Sequence, residues 1–87
     1  MRKHLALLLI LKALDELGEA PISTVQKQAG LGNYYTTKQI LQYLKEKGIV
    51  EERYDPGPPG KFIYKLTEKG NQTAEHAKAI LELMGIS

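Results

Sequence analysis

Asn33-Tyr34-Tyr35-Thr36-Thr37-Lys38-Gln39-Ile40-Leu41-Gln42-Tyr43-Leu44-Lys45-Glu46-Lys47-Gly48-Ile49-Val50 is the stretch that decides the fold. Asn33 is a side-chain acceptor suited to a helix N-cap. Thr37, Leu41 and Leu44 then recur at helical intervals with Ile40 beside them, which predicts a helix over 34–47 with one inward stripe. Gly48 stops it, and beyond Gly48 the period changes. Ile49-Val50-Glu51-Glu52-Arg53-Tyr54 and Lys61-Phe62-Ile63-Tyr64-Lys65-Leu66 are rich in β-branched and aromatic residues, as strands are. Between them, Asp55-Pro56-Gly57-Pro58-Pro59-Gly60 is neither helix nor central strand, because its prolines lack backbone donors. Residues 49–66 therefore read as a β-hairpin with a stiff projecting tip.

Upstream, Pro21-Ile22-Ser23-Thr24 opens a shorter helix over 22–30, with Ser23 as its cap and Val25 and Ala29 on one face. Gly30-Leu31-Gly32 forms the turn between the two helices. Residues 2–18 read as a first helix, with Leu7, Leu11, Leu14 and Leu17 as its stripe and Ile10 beside them. That helix carries a second apolar strip, Leu5, Leu8 and Leu9, which either packs in the core on both flanks or meets a second subunit. Downstream, Thr67-Glu68 caps a last helix over 67–84 with apolar Ala74, Ala77, Ile80, Leu81 and Met84. The expected architecture is one mainly α domain with a small β-hairpin, in the order helix-helix-helix-strand-strand-helix.

The 87 residues hold one domain, and a chain this short has thin stability alone. No cysteine is present, which excludes disulfides, thiol nucleophiles and cysteine-based zinc sites. His4 and His76 sit on opposite terminal helices with no acidic cluster to complete a metal site. Gly30-Leu31-Gly32-Asn33 lacks the third glycine and the preceding strand of a dinucleotide fingerprint. Gly57-Pro58-Pro59-Gly60-Lys61 is too short and too proline-rich for a phosphate loop. No catalytic pair is visible, so no enzyme and no cofactor are expected. The apolar run Leu5–Leu11 is interrupted at Lys12, far short of the roughly 20 residues that cross a bilayer. Arg2-Lys3 before it mimics a secretory signal, but Asp15, Glu16 and Glu19 follow and no cleavage site does. A cytoplasmic protein is expected.

The third helix is polar in a distinctive way. Tyr34, Tyr35, Thr36, Lys38, Gln39, Gln42, Tyr43 and Lys45 are left outward, and no acid occurs between Glu19 and Glu46. Such side chains read base edges and contact phosphates and sugars. The formal net charge of +2 is unevenly spread. Residues 1–20 and 51–66 are each neutral, 67–87 sum to −1, and 21–50 hold +3. A phosphate-bearing partner would meet the charge on the second and third helices.

Two helices joined by a glycine-bearing turn and followed by a hairpin make a winged helix-turn-helix. The sequence resembles winged helix-turn-helix transcription regulators of bacteria and archaea. The resemblance is carried by Pro21-Ile22-Ser23-Thr24-Val25, by Leu41–Val50 and by Tyr64-Lys65-Leu66-Thr67-Glu68-Lys69-Gly70. In its compactness the chain is similar to small archaeal regulators and Sso10a-type chromatin proteins. The resemblance implies a homodimer on double-stranded DNA, with recognition helices in successive major grooves about 10 base pairs apart. It implies base reading by Tyr35, Thr36, Lys38, Gln39 and Gln42. Phosphate contacts would come from Asn33, Tyr34, Lys27, Lys45, Arg53 and Lys61. The wing departs from the family pattern, because Glu51, Glu52 and Asp55 offset its cations. The resemblance makes the last helix the dimer element, through Ala77, Ile80, Leu81 and Met84, with Leu5, Leu8 and Leu9 alongside. Packing of the last helix over the first within one chain is the alternative. The expected function is sequence-specific duplex binding by a transcriptional regulator. The alternatives are a winged-helix protein-interaction module and a non-specific architectural DNA-binding protein.

Overall fold

The computed structural model describes residues 3–86. Its elements are α1 (Lys3–Leu17), β1 (Glu19–Pro21), α2 (Ile22–Gln28), α3 (Tyr34–Glu46), β2 (Val50–Asp55), β3 (Lys61–Leu66) and α4 (Glu68–Leu83). The expected helix start at Arg2 lies outside the described residues. The fold is a winged helix-turn-helix, mainly α with a small antiparallel sheet.

The sheet has one strand more than the hairpin predicts, in the order β1-β3-β2. β1 pairs with β3 through Glu19↔Lys65, Ala20↔Tyr64 and Pro21↔Ile63. Three residues are too few to display a strand period, and Pro21 is tolerated because it stands at the end of an edge strand. Pro21 also changes the start of α2. It is the N-cap itself, extended at φ −71° and ψ 163°, with no side-chain cap bond. Ser23 therefore lies inside the helix and is not its cap. Both α2 and α3 end slightly short of their expected limits.

The core is built from Ile10, Leu11 and Leu14 of α1, Val25 of α2, and Leu41 and Leu44 of α3, all essentially inaccessible. Burying each such side chain stabilises the fold by about 2 kcal/mol. On α1 the innermost positions include Ala6 and Ala13, whereas Leu7 and Leu17 are half-buried at the core edge. The small alanines let neighbouring helices approach, which displaces the expected leucine stripe by part of a turn. Leu5, Leu8 and Leu9 are half-buried. On α4 the inward positions are Gly70, Ala74, Ala77 and Leu81. Ala77 and Leu81 are thus interior residues of one chain, which removes them as surface for a partner. Ile80 and Met84, expected among the apolar packing positions, are exposed.

α3 is fixed at both ends. Asn33 accepts a hydrogen bond from the Thr36 backbone N–H at 3.1 Å, the expected cap. Thr37 satisfies its buried hydroxyl by donating to the Asn33 carbonyl at 3.0 Å. At the other end Gly48 adopts φ 74°, a left-handed conformation costly for a side-chain-bearing residue. Thr67 then donates from Oγ1 to the Gly48 carbonyl at 2.7 Å, while its N–H reaches the Ile49 carbonyl at 3.0 Å. The same Thr67 oxygen accepts from the Gly70 N–H at 3.0 Å and so caps α4. One threonine ties the end of α3 to the start of α4.

Candidate nucleic-acid interface

With its inward stripe committed to the core, α3 presents its first two turns to solvent. Tyr35 is 75% exposed and Tyr34 is half-exposed, with Lys38 and Gln39 exposed beside them. Lys38 has no ion-pair partner among the described residues. Thr36 is half-buried, and Asn33, engaged as the cap, remains at the surface. Lys27 is exposed on α2.

A groove of about 860 Å³ runs between the start of α2, this face of α3 and the wing. Its walls include Ser23 and Thr24, Tyr34 and Lys38, and Lys61 and Phe62. Ser23 and Thr24 are not among the contacts expected from sequence. Their short hydroxyls are uninformative there and become relevant through the strand that sets where α2 begins. Phe62 stacks at a tilt on Tyr54 across the hairpin, with ring centroids 5.1 Å apart. Both rings remain about half-exposed.

Besides Asn33, three of the expected contacts are already engaged within the chain. Lys45 Nζ lies 2.9 Å from Glu52 Oε1, and Gln42 Nε2 donates to Glu52 Oε2 at 3.1 Å. Arg53 pairs with Glu19, reaching from β2 across β3 to β1. In the sequence Glu52 counts only as one charge of the wing. Alternation along β2 turns it toward α3, directly opposite Tyr64 in the register. Burial raises the affinity of its carboxyl for a proton. Hydrogen bonds from Lys45, Tyr64 and Gln42 outweigh that effect and hold it below the usual carboxylate range. Burial, with Glu52 facing it, pushes the Tyr64 hydroxyl well up. The site offers donors, cations and aromatic faces, and among the described residues no cluster of three metal-ligating side chains. No helix of the described residues is long and apolar enough to cross a membrane.

The sequence pattern of the HxlR-like helix-turn-helix family matches residues 6–85. The chain belongs to the HxlR-like helix-turn-helix family. As a member of this family it is a DNA-binding winged helix-turn-helix protein of the transcription-regulating kind. Among solved structures, the reduced transcriptional regulator YodB of B. subtilis is 27% identical with a TM-score of 0.66, covering 88% of this chain and 71% of YodB. The ytfH protein of Salmonella typhimurium is 27% identical with a TM-score of 0.81, covering 90% of this chain and 69% of that one. Sso10a-2, a DNA-binding protein from Sulfolobus solfataricus, shares the fold at 21% identity and a TM-score of 0.76, covering 97% of this chain and 83% of Sso10a-2. No curated protein sequence matches the chain. In this HxlR-like chain Thr67 and Gly70 both serve the junction that aims α3.

Proposed function

We propose that this HxlR-like protein binds a preferred duplex sequence as a homodimer and regulates transcription by occupying it, without catalysis, in the cytoplasm. The observation that carries this reading is the acid-free, exposed first two turns of α3, where Tyr35, Lys38 and Gln39 project beside the groove to the wing. Gln and Lys hydrogen-bond base edges in the major groove, and an α-helix fits that groove. Lys27, Lys61 and the Asn33-Tyr34 helix start flank this face and serve phosphates, while Thr36 supports it from a half-buried position.

The dimer reading draws on apolar surface left at one end of the molecule. Ile80 and Met84 are about half-exposed and Leu83 is 88% exposed, an arrangement that is costly in water for a lone helix end. Half-buried Leu5, Leu8 and Leu9 on α1, which packs on α4, extend the available apolar area.

Selection of bound sequences from a random duplex pool tests the function, and a recurrent motif is the expected outcome. Replacing Lys38 and Gln39 with alanine should flatten the preference, since each good side chain–base pairing supplies about 1–3 kcal/mol of discrimination. Binding without any motif would leave architectural coating. A second reading, protein contact alone, is favoured by one observation: the wing is electrically neutral and its Arg53 is committed to Glu19. A mobility shift at low salt separates the readings, because a protein-contact module retards no duplex at micromolar concentration.

A further inference from the structure

Two cations lie on the body of α3, and the structure treats them differently. Lys38 lines the groove with no ion-pair partner among the described residues, whereas Lys45 is joined to Glu52, whose side chain is only 12% exposed. The same carboxylate takes the Gln42 amide, so both of its oxygens are occupied from the recognition helix. Opposite Glu52 in the strand register stands buried Tyr64, a further hydrogen-bond donor to the carboxylate.

We propose that Glu52 holds Lys45 out of phosphate contact and so sets how much charge the recognition helix delivers to a duplex. The inference rests on the duplex-binding reading above and deepens it. Moving Lys45 to a phosphate would strand a part-buried carboxylate, without its cation, beside a polyanion. Breaking one side of a part-buried pair is costly, while an exposed lysine–phosphate contact is screened by water and salt. Lys45 therefore remains on Glu52 when DNA is bound, and Gln42 stays with it. Base reading falls to the first two turns, at Tyr35, Lys38 and Gln39. The wing strand thus acts as an internal competitor with DNA for the later turns of α3.

The test is the salt dependence of binding to a random-sequence duplex, followed by fluorescence anisotropy between about 50 and 200 mM salt. Each phosphate neutralised contributes a slope of about −0.9 in log affinity against log salt. Lys45→Ala is expected to leave the wild-type slope unchanged. Glu52→Gln keeps the shape of the side chain but releases the cation, and should steepen the slope by about 0.9. The double variant Glu52→Gln/Lys45→Ala should return to the wild-type slope. A slope flattened by Lys45→Ala alone means that Lys45 already sits on a phosphate, which overturns the proposal. Steepening that persists in the double variant also overturns it, because Glu52 then acts by repelling DNA. Should Glu52→Gln fail to fold, as read by its thermal melt, the exposed Lys45→Ala variant decides alone by the same criterion. Wild-type protein that binds no duplex at low salt refutes the duplex-binding reading and the inference with it. Wild-type binding with the wrong slopes refutes the inference only.

Discussion

Gly70 occupies a position where a single methyl group would collide with backbone. A Cβ built there would lie 2.0 Å from the carbonyl oxygen of Ile49. That carbonyl already accepts from the Thr67 N–H, and Gly70 in turn donates to the Thr67 hydroxyl. The contact cannot relax by moving a flexible side chain, because backbone stands on both sides. Gly70→Ala should therefore destabilise the protein by about 1–3 kcal/mol, the usual cost of overpacking. Thermal unfolding followed by circular dichroism reads this directly, and an unchanged midpoint would refute the close approach. Thr37 makes the complementary point. Its buried hydroxyl is satisfied by the Asn33 carbonyl, so a polar residue stands in the inward stripe without penalty. The Thr67-x-x-Gly70 spacing is plain in the sequence as a pattern. Its reason, the Ile49 carbonyl in the turn before β2, is invisible there.

Between elements, Glu52 of β2 ties the wing to α3 through Gln42 and Lys45. The carboxyl of Glu52 is held below its ordinary range in the folded state, so folding favours its ionised form. Stability from this source is present above the unfolded value near 4.5 and disappears as pH falls through the lowered folded value. The stability advantage of wild type over Glu52→Gln should be about 1–2 kcal/mol at neutral pH. It should shrink steadily once the pH drops below about 4.5. Denaturant unfolding of the two proteins across pH 3 to about 7 checks this, and a pH-independent difference would sink the coupling. The helices are legible from their 3.6-residue period, and the hairpin from its alternation and prolines. β1 is not, since three residues give no period and their partner strand lies more than forty residues away. The cap of α2 is hidden for the same reason, because the strand fixes where the helix starts.

For the molecule as a whole, size and surface support the proposed dimer. The accessible area is 5612 Å², against about 5100 Å² for a compact monomer of this mass. The excess accompanies an elongated shape, 41 Å along its longest axis and 20 Å along its shortest. Leu83, Ile80 and Met84 lie exposed at the end of α4. Leu83→Asp would place a charge on this surface without touching the core. The expected result is a monomer by light scattering, with an unchanged far-ultraviolet spectrum and markedly weaker duplex binding. A variant that stays dimeric would place the interface elsewhere. The family resemblance assigns Ala77, Ile80, Leu81 and Met84 to this role and passes over Leu83. Period alone cannot say which flank of an apolar helix its own chain covers.

The four helices, the hairpin between the last two of them, the cap at Asn33 and the polar, acid-free start of α3 are all written in the sequence, whereas β1 is not. These follow from local spacing and side-chain chemistry, which act over a few residues. Tertiary structure alone decided which polar residues on that helix are free. Glu52 is six residues beyond the end of α3 and looks like one more surface acid. The sheet register turns it inward, where it binds Lys45 and Gln42. Arg53 is likewise spent on Glu19, a residue 34 positions away. Charge counted along a chain adds linearly, but charge in a fold cancels wherever the backbone brings opposite signs within hydrogen-bond distance.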